Sequence, residues 1–206
     1  MIQKFSGYDD LQVYEGGLSL EVGGYELTIK GARAEDYNDF SILKIAFDII
    51  NHDKYANFFE NKFKQLRLKN PEAKWPNAGV FDVFIPKDDG SENDNITKQY
   101  FKRFTTSVEK SNPGYIWNWD EKSLIGKIFG GVFGREEFKA DNGEYHFVTK
   151  CRFANSIDRI KSGDFTIPND KLTKEHRNNT QNNSVPSALG NLSDYEEIFG
   201  DDAVPF

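Results

Sequence analysis

The feature that most constrains the fold is the order in which alternating and helical hydrophobic patterns follow one another along the chain. Three segments alternate apolar and polar residues, which predicts half-buried β-strands at residues 25–29, 43–49 and 81–85. A polar loop tipped with two aromatic residues, 35–40, joins the first two, so they are expected to form a hairpin. Pro86 and the Asp88-Asp89-Gly90 turn end the third strand.

Helical patterns interrupt this series at two places. Residues 96–110 carry an apolar stripe at helical spacing, with Asp94 or Asn95 as the expected N-cap. Residues 54–68 are ambiguous between helix and strand but fit the helical stripe better, so we predict an inserted helix before the third strand. Two further strands are predicted at 124–133 and 145–153, joined by a tight turn at Asp141-Asn142-Gly143.

The predicted order is therefore three strands, a helix and two more strands. A five-stranded barrel with a helix between its third and fourth strands is the plan of the OB-fold, which binds oligonucleotides or oligosaccharides on one face. We predict a mainly β chain with α-helices, OB-fold-like, over residues 1–168. Other small α+β folds share this order of elements, so the order alone leaves them open.

The composition changes after Pro168. Residues 169–193 are rich in Asn, Ser and Thr and contain no aromatic residue, which predicts a flexible linker. Residues 194–206 form an acidic peptide containing scattered aromatic and aliphatic residues, and we predict that it is disordered by itself. A terminal peptide this polar would bury little apolar surface against its own body. Its terminal aromatic ring, its proline and its carboxylates are groups that fit an apolar pocket with a basic rim in another protein. The predicted protein-binding tip is Asp201, Asp202, Ala203, Val204, Pro205 and Phe206.

The charge and the chemistry-bearing residues exclude several classes of protein. The formal net charge is −7, but five acidic residues lie within 194–206, where there is no Lys or Arg, so the body is nearly neutral. One cysteine, Cys151, permits no internal disulfide, and three isolated histidines lack the spacing of metal ligands. No phosphate-binding glycine loop, serine elbow or apolar membrane span is visible. We expect no enzyme, cofactor, metal or membrane segment, and a cytoplasmic location.

Cations and aromatic rings occur together in the body. Single-stranded nucleic acid is bound by cations along its backbone and by rings on which its bases stack. The stretches 54–75 and 96–110 are rich in Lys and Arg, the first interleaved with aromatic residues, and further cations lie on the polar faces of the predicted strands. The candidate DNA-binding residues are Tyr37, Lys44, Lys62, Lys64, Trp75, Phe84, Tyr145, Lys150 and Arg152.

Several short motifs resemble those of a family of phage and prophage proteins, mainly from phages of Gram-positive bacteria, that includes single-stranded DNA-binding proteins. The resemblance covers roughly residues 23–168 and rests on Ser111-Asn112-Pro113-Gly114-Tyr115, Trp117-Asn118-Trp119-Asp120-Glu121, Leu124-x-Gly126-Lys127, Phe133-Gly134-x-Glu136-Glu137 and Gly163-Asp164-Phe165-x-x-Pro168. The C-terminal tip is similar to that of bacterial single-stranded DNA-binding proteins, which end in acidic residues followed by Ile-Pro-Phe; here Val204 replaces the Ile. This second resemblance implies recruitment of replication, recombination and repair proteins.

Together these observations predict a protein that binds single-stranded DNA with little sequence preference during phage replication or recombination in the bacterial host cytoplasm. Its acidic tip would recruit partner enzymes, and a homo-oligomer is possible. The alternative is a phage adaptor or inhibitor of a host protein that does not bind DNA, which the acidic overall charge favours.

Overall fold

The computed structural model describes residues 18–180, together with Gln3, Lys4, Ser6 and Tyr8 near the N-terminus. The predicted tip, 194–206, and the linker after residue 180 lie outside the described residues. Within the described part, no helix is both long and apolar enough to cross a lipid bilayer.

Five strands form one antiparallel sheet in the order β3-β2-β1-β4-β5. The three strands that alternation predicts are confirmed, and each is longer in the structure than the predicted segment. The bounds are β1 Gly23–Asp36, β2 Ser41–Ile50, β3 Val80–Ile85, β4 Ile128–Lys139 and β5 Tyr145–Asn155.

The fourth strand starts later than predicted. Leu124 ends a 3-10 turn, Glu121–Leu124, instead of beginning the strand. Gly126 has φ 82, a left-handed conformation that turns the chain before β4. The tight turn predicted between β4 and β5 is confirmed, with Gly143 at φ 85 and its N–H donating to Ala140 O at 2.8 Å.

The sheet does not close into a barrel, so that part of the predicted fold is wrong. β3 and β5 are its two edges, and no hydrogen-bonded ladder joins them among the described residues. Side chains of both strands, including Asp82 of β3 and Lys150 of β5, line the space between the edges. The coarser prediction, a mainly β chain with helices, is confirmed.

Among the described residues, four α-helices accompany the sheet: α1 Phe58–Lys69, α2 Glu92–Ser111, α3 Ile157–Lys161 and α4 Lys174–Thr180. The ambiguous stretch is therefore a helix, α1, and the helix between the third and fourth strands, α2, is confirmed. Its N-cap is Ser91 and not Asp94 or Asn95, because the Ser91 side chain accepts the Asp94 N–H at 3.1 Å.

The core lies between the inner face of the sheet and helices α1 and α2. Its fully buried side chains come from alternate strand positions, from one stripe of α2, from Phe59 of α1, and from Tyr55 and Leu124 in the connecting segments. The largest are Leu27, Ile29, Ile45, Phe47, Ile49, Tyr55, Phe59, Phe104, Leu124, Phe129 and Phe133. The core occupies one face of β2 and β3, and their other face mixes charged residues such as Lys44 and Asp82 with apolar ones such as Ile42 and Phe84.

The predicted linker is wrong over its first part. Lys171 forms a parallel β-bridge with Glu136, and the Glu137 N–H donates to Lys171 O at 2.8 Å. Arg135 then forms an ion pair with Asp170, Nη2 to Oδ2, at 2.5 Å. Tertiary partners on β4 supply the hydrogen bonds that the composition of 169–180 does not reveal, so this segment continues the fold.

Candidate nucleic-acid interface

A groove runs between the two edges of the sheet. We call it the β3–β5 groove; β2 and β3 line one side, β4 and β5 line the other, and the segment containing α4 lies along the β4–β5 side. Its cations are Lys44, Lys139, Lys150, Arg152, Lys171, Lys174 and Arg177, and its acids are Asp82, Glu136, Glu137 and Glu175. Seven cations against four carboxylates make this groove net positive, although the whole chain is acidic.

The groove brings together six of the nine predicted DNA-binding residues: Tyr37, Lys44, Phe84, Tyr145, Lys150 and Arg152. Lys62, Lys64 and Trp75 do not line it. Strand alternation accounts for Lys44 on β2 and Lys150 on β5, whereas Tyr37 lies in the β1–β2 loop and Tyr145 is the first residue of β5. The structure adds what alternation cannot supply, which is the approach of β3 and β5.

On the β2–β3 side, the register sets Lys44 opposite Asp82 and Ile42 opposite Phe84. The Lys44 side chain is only 8% exposed, and its Nζ lies 3.6 Å from Glu35 Oε2. A buried ammonium requires such a partner. Glu35 therefore compensates part of the Lys44 charge, and the more exposed cations of the groove are better placed to touch a ligand.

Asp82 is the carboxylate that opposes this potential most directly. Its side chain reaches solvent, yet it lies inside the groove with protein on both sides. Desolvation raises its pKa, and the nearby charges of Lys44 and Lys150 reduce that effect. Asp82 is therefore easier to protonate than an ordinary aspartate.

On the β4–β5 side, Arg152 occupies a β-bulge. The register pairs Val132 with Phe153 and Phe133 with Cys151, so Arg152 is the extra residue between them. A bulge bends a strand and redirects a side chain. Here it sets Arg152 in the groove beside Lys150.

Glu136 organises two of the cations. Its Oε2 lies 3.7 Å from Lys150 Nζ and its Oε1 lies 3.4 Å from Lys171 Nζ. Desolvation opposes its ionisation, but Lys150 and Lys171 outweigh that effect and hold the pKa of Glu136 below its ordinary value. Glu136 is therefore one carboxylate shared by Lys150 and Lys171, and this group of three side chains has a net positive charge.

Aromatic rings lie at both ends of the groove. At the β1–β2 loop, Tyr37 stacks on Phe40 with centroids 4.9 Å apart, and Phe40 meets Phe84 edge-on at 5.8 Å. The Tyr37 hydroxyl donates to Glu35 Oε2 at 2.6 Å, and this hydrogen bond raises the pKa of Tyr37. Flat rings are the groups on which unpaired bases stack.

At the other end, Tyr145 is partly engaged by α4. Its ring centroid lies 4.2 Å from that of His176, and its hydroxyl donates to Glu175. Lys139 Nζ lies 5.3 Å from the centroid of the Tyr145 ring and 3.2 Å from Glu175 Oε2. A ligand that stacks on Tyr145 here competes with these contacts for its ring and hydroxyl.

The three remaining predicted residues belong to a separate surface around α1. Lys64 forms an ion pair with Glu60 at 2.8 Å, and Lys62 is exposed. Trp75 has a structural role, since its indole N–H donates to Gly79 O at 3.0 Å and its ring packs against Phe63. The clustering of charges in the sequence around 54–75 therefore does not extend the groove.

Sequence reasoning missed several groove residues, namely Phe40, Asp82, Lys139, Lys171, Lys174 and Arg177. The three cations after residue 170 were assigned to the predicted linker. Their spacing was the available signal, because Lys171, Lys174 and Arg177 recur every third residue, as on one face of a helix.

In the described part of the chain, no cluster of three or more His, Cys, Asp or Glu side chains is placed to hold a metal ion. Comparison of the chain with models of known protein families and with curated proteins finds no match.

Proposed function

We propose that this protein binds single-stranded DNA in the β3–β5 groove with little sequence preference. The observation that carries the proposal is the convergence of Lys150 and Arg152 with the rings of Tyr37, Phe84 and Tyr145 in one net-positive groove. Cations neutralise phosphates without reading sequence, and rings stack on any base. This combination favours an unpaired strand, whose bases are free to stack.

The position of the groove supports a relationship to the OB-fold. In that fold the ligand lies on the face of strands 2 and 3 and between the loops that join strands 1 to 2 and 4 to 5. The β3–β5 groove uses the polar face of β2 and β3, the β1–β2 loop with Tyr37, and the end of the β4–β5 hairpin with Tyr145. We propose that the sheet is an open variant of this barrel.

The C-terminal tip adds a second activity to the proposal. Residues 201–206 would recruit replication or recombination proteins, an inference that rests on the resemblance of the tip, as the phage setting rests on the motifs of the body. A chain ending at Ala203 should keep its DNA affinity. It should lose binding to the host enzymes that recognise the tip of the bacterial single-stranded DNA-binding protein; retained binding would contradict the proposal.

The DNA-binding proposal is tested by fluorescence anisotropy with a labelled oligothymidylate of about 16 nucleotides and with a duplex of equal length. We expect tighter binding to the single strand. If about four phosphates are neutralised, log K should fall with log salt at a slope of roughly −3. Binding that is insensitive to salt, or equal for the duplex, would contradict the proposal.

A pair of matched variants locates the site. Lys150→Glu with Arg152→Glu should weaken binding by at least about tenfold and reduce the salt slope by about 1.4. Lys62→Glu with Lys64→Glu makes the same change in net charge on α1, outside the groove, and should have the smaller effect. The reverse ranking would place the strand on α1, and no DNA binding at all would favour the protein-adaptor alternative.

A further inference from the structure

A second basic surface lies on α2 and beside the end of β5, outside the β3–β5 groove. We call it the α2 patch. Five of its ten lining residues are Lys or Arg and none is Asp or Glu: Lys98, Lys102, Arg103, Lys110 and Arg159. In the groove, by contrast, carboxylates are interspersed among the cations. The α2 patch is therefore a concentrated cationic surface on an acidic protein.

Helical geometry gives this patch a regular spacing. Lys98, Lys102 and Lys110 lie on one ridge of α2, with Thr106 at the intervening position. Residues four apart on a helix are separated by about 6 Å along its axis. That repeat is comparable to the separation of successive phosphates in an extended strand. Lysines and a hydroxyl at such intervals are groups that contact phosphates.

Most of these cations are not neutralised by neighbours. Lys102 and Lys110 are exposed, and neither they nor Arg103 form an ion pair with any residue in the described ranges. Lys98 pairs with Asp88 at 2.6 Å and Arg159 pairs with Asp164 at 2.9 Å. The centre of the patch is thus the least compensated part.

Arg103 is held in place for binding an anion. Its Nε donates to Ala154 O at 2.9 Å, its Nη2 donates to Asn155 Oδ1 at 3.1 Å, and its guanidinium lies 5.1 Å from the centroid of the Phe153 ring. These contacts use neutral acceptors, so the guanidinium keeps its full charge while losing its freedom to move.

The patch continues from the groove along β5. Arg152 lines the groove, Phe153 lies beneath Arg103, and Asn155 lines the patch. At about 3.3 Å per residue, Arg152 and Asn155 are separated by about 10 Å along the strand. The two surfaces are therefore close enough along β5 for one extended strand of several nucleotides to contact both.

We propose that the α2 patch is a second binding site for the phosphodiester backbone, which holds the part of a long single strand that extends beyond the groove. The inference rests on the proposed DNA binding and extends it. Phosphates bind at Lys102, Arg103 and Lys110, and no rings line the patch to read or stack bases. The groove accommodates a short strand alone, and the patch adds affinity only when the strand is long enough.

The test compares two strand lengths. Oligothymidylates of about 6 and about 20 nucleotides fall below and above the usual upper site size of an OB-fold, about 16. Lys102→Glu with Lys110→Glu should leave affinity for the short strand within about twofold. For the long strand we expect roughly a tenfold loss at low salt and a salt slope smaller by about 1.4, from two phosphates. Lys69→Glu with Lys122→Glu, at exposed positions on neither surface, is the matched control.

Each outcome decides the inference. Unchanged affinity for both lengths would overturn the inference and would favour an acidic protein as the ligand of the α2 patch. An equal loss for both lengths would also overturn it, because the patch would then belong to the primary site. The neutral pair Lys102→Gln with Lys110→Gln loses the same two phosphate contacts and should give about the same change in slope with a smaller loss of affinity. Agreement between the two pairs guards against an effect of misfolding. If the unchanged protein binds neither strand, the proposed function itself fails.

Discussion

The carboxylate of Asp48 on β2 accepts a hydrogen bond from the backbone N–H of Phe59 in the first turn of α1, at 3.0 Å. The same carboxylate accepts the N–H groups of Ile49 at 2.9 Å and Glu60 at 3.0 Å. The residue before the helix, Asn57, has φ 57 and provides no side-chain cap. A buried acid from the sheet therefore caps α1, and it joins the helix to the core.

Replacing Asp48 by Ala should destabilise the protein by about 3 kcal/mol, because it leaves buried backbone N–H groups without an acceptor. Urea denaturation monitored by circular dichroism measures the loss. Asp48→Asn keeps one acceptor oxygen and should give an intermediate value. A stability equal to that of the unchanged protein would show that water replaces the carboxylate at no cost.

Glu137 should make the attachment of the α4 segment depend on pH. Burial of the Glu137 carboxylate opposes its ionisation. The carboxylate accepts hydrogen bonds from the Thr173 N–H, from His176 and from the Thr173 hydroxyl, and these outweigh the effect of burial and lower the pKa of Glu137. A lowered folded-state pKa stabilises the fold above the unfolded value of about 4.3, and this contribution is lost as the pH falls through the folded-state pKa.

Glu137→Gln should accordingly lower the urea midpoint at pH 7, and its difference from the unchanged protein should shrink as the pH falls below about 4.3. Hydrogen exchange of residues 171–177 should increase in the variant at pH 7. A difference that stays constant across this pH range would mean that the ionised form of Glu137 contributes nothing to stability.

Asp82 should weaken DNA binding, because it places a negative charge beside Lys44 and Lys150. Asp82→Asn should increase affinity for oligothymidylate by about threefold, the scale expected for one exposed charge interaction. Since desolvation raises the pKa of Asp82, affinity in the unchanged protein should also rise as mild acid protonates this side chain. Asp53→Asn, at an exposed site outside the groove, is the control; an equal gain there would indicate a net-charge effect only.

Cys151 should be unreactive in the folded protein. Burial raises the pKa of its thiol well above the ordinary value, and the thiolate is the reactive form. At pH 8 a disulfide reagent such as dithionitrobenzoate should modify Cys151 at least about a hundredfold more slowly in the native protein than in urea. Rapid native labelling would show that the β3–β5 groove opens at β5.

Local patterns in the sequence were sufficient for the elements of the fold. Period-two alternation predicted β1, β2 and β3, and helical stripes predicted α1 and α2, because each pattern reports which face of one element is buried. The same argument put Lys44, Lys150 and Arg152 on polar strand faces. The α4 segment was missed because its hydrogen-bond partners, Glu136 and Glu137, are distant in sequence.

What the sequence by itself determined, therefore, is the order and type of most elements and the face on which each candidate side chain lies. Only the tertiary structure decided which of those faces meet. The approach of β3 to β5 gathers six predicted residues into one groove and leaves Lys62, Lys64 and Trp75 elsewhere. The packing of α2 against β5 sets Arg103 over Phe153. The physical reason is that periodicity is a property of neighbours along the chain, whereas the bending of a sheet and the pairing of charges depend on contacts between distant segments.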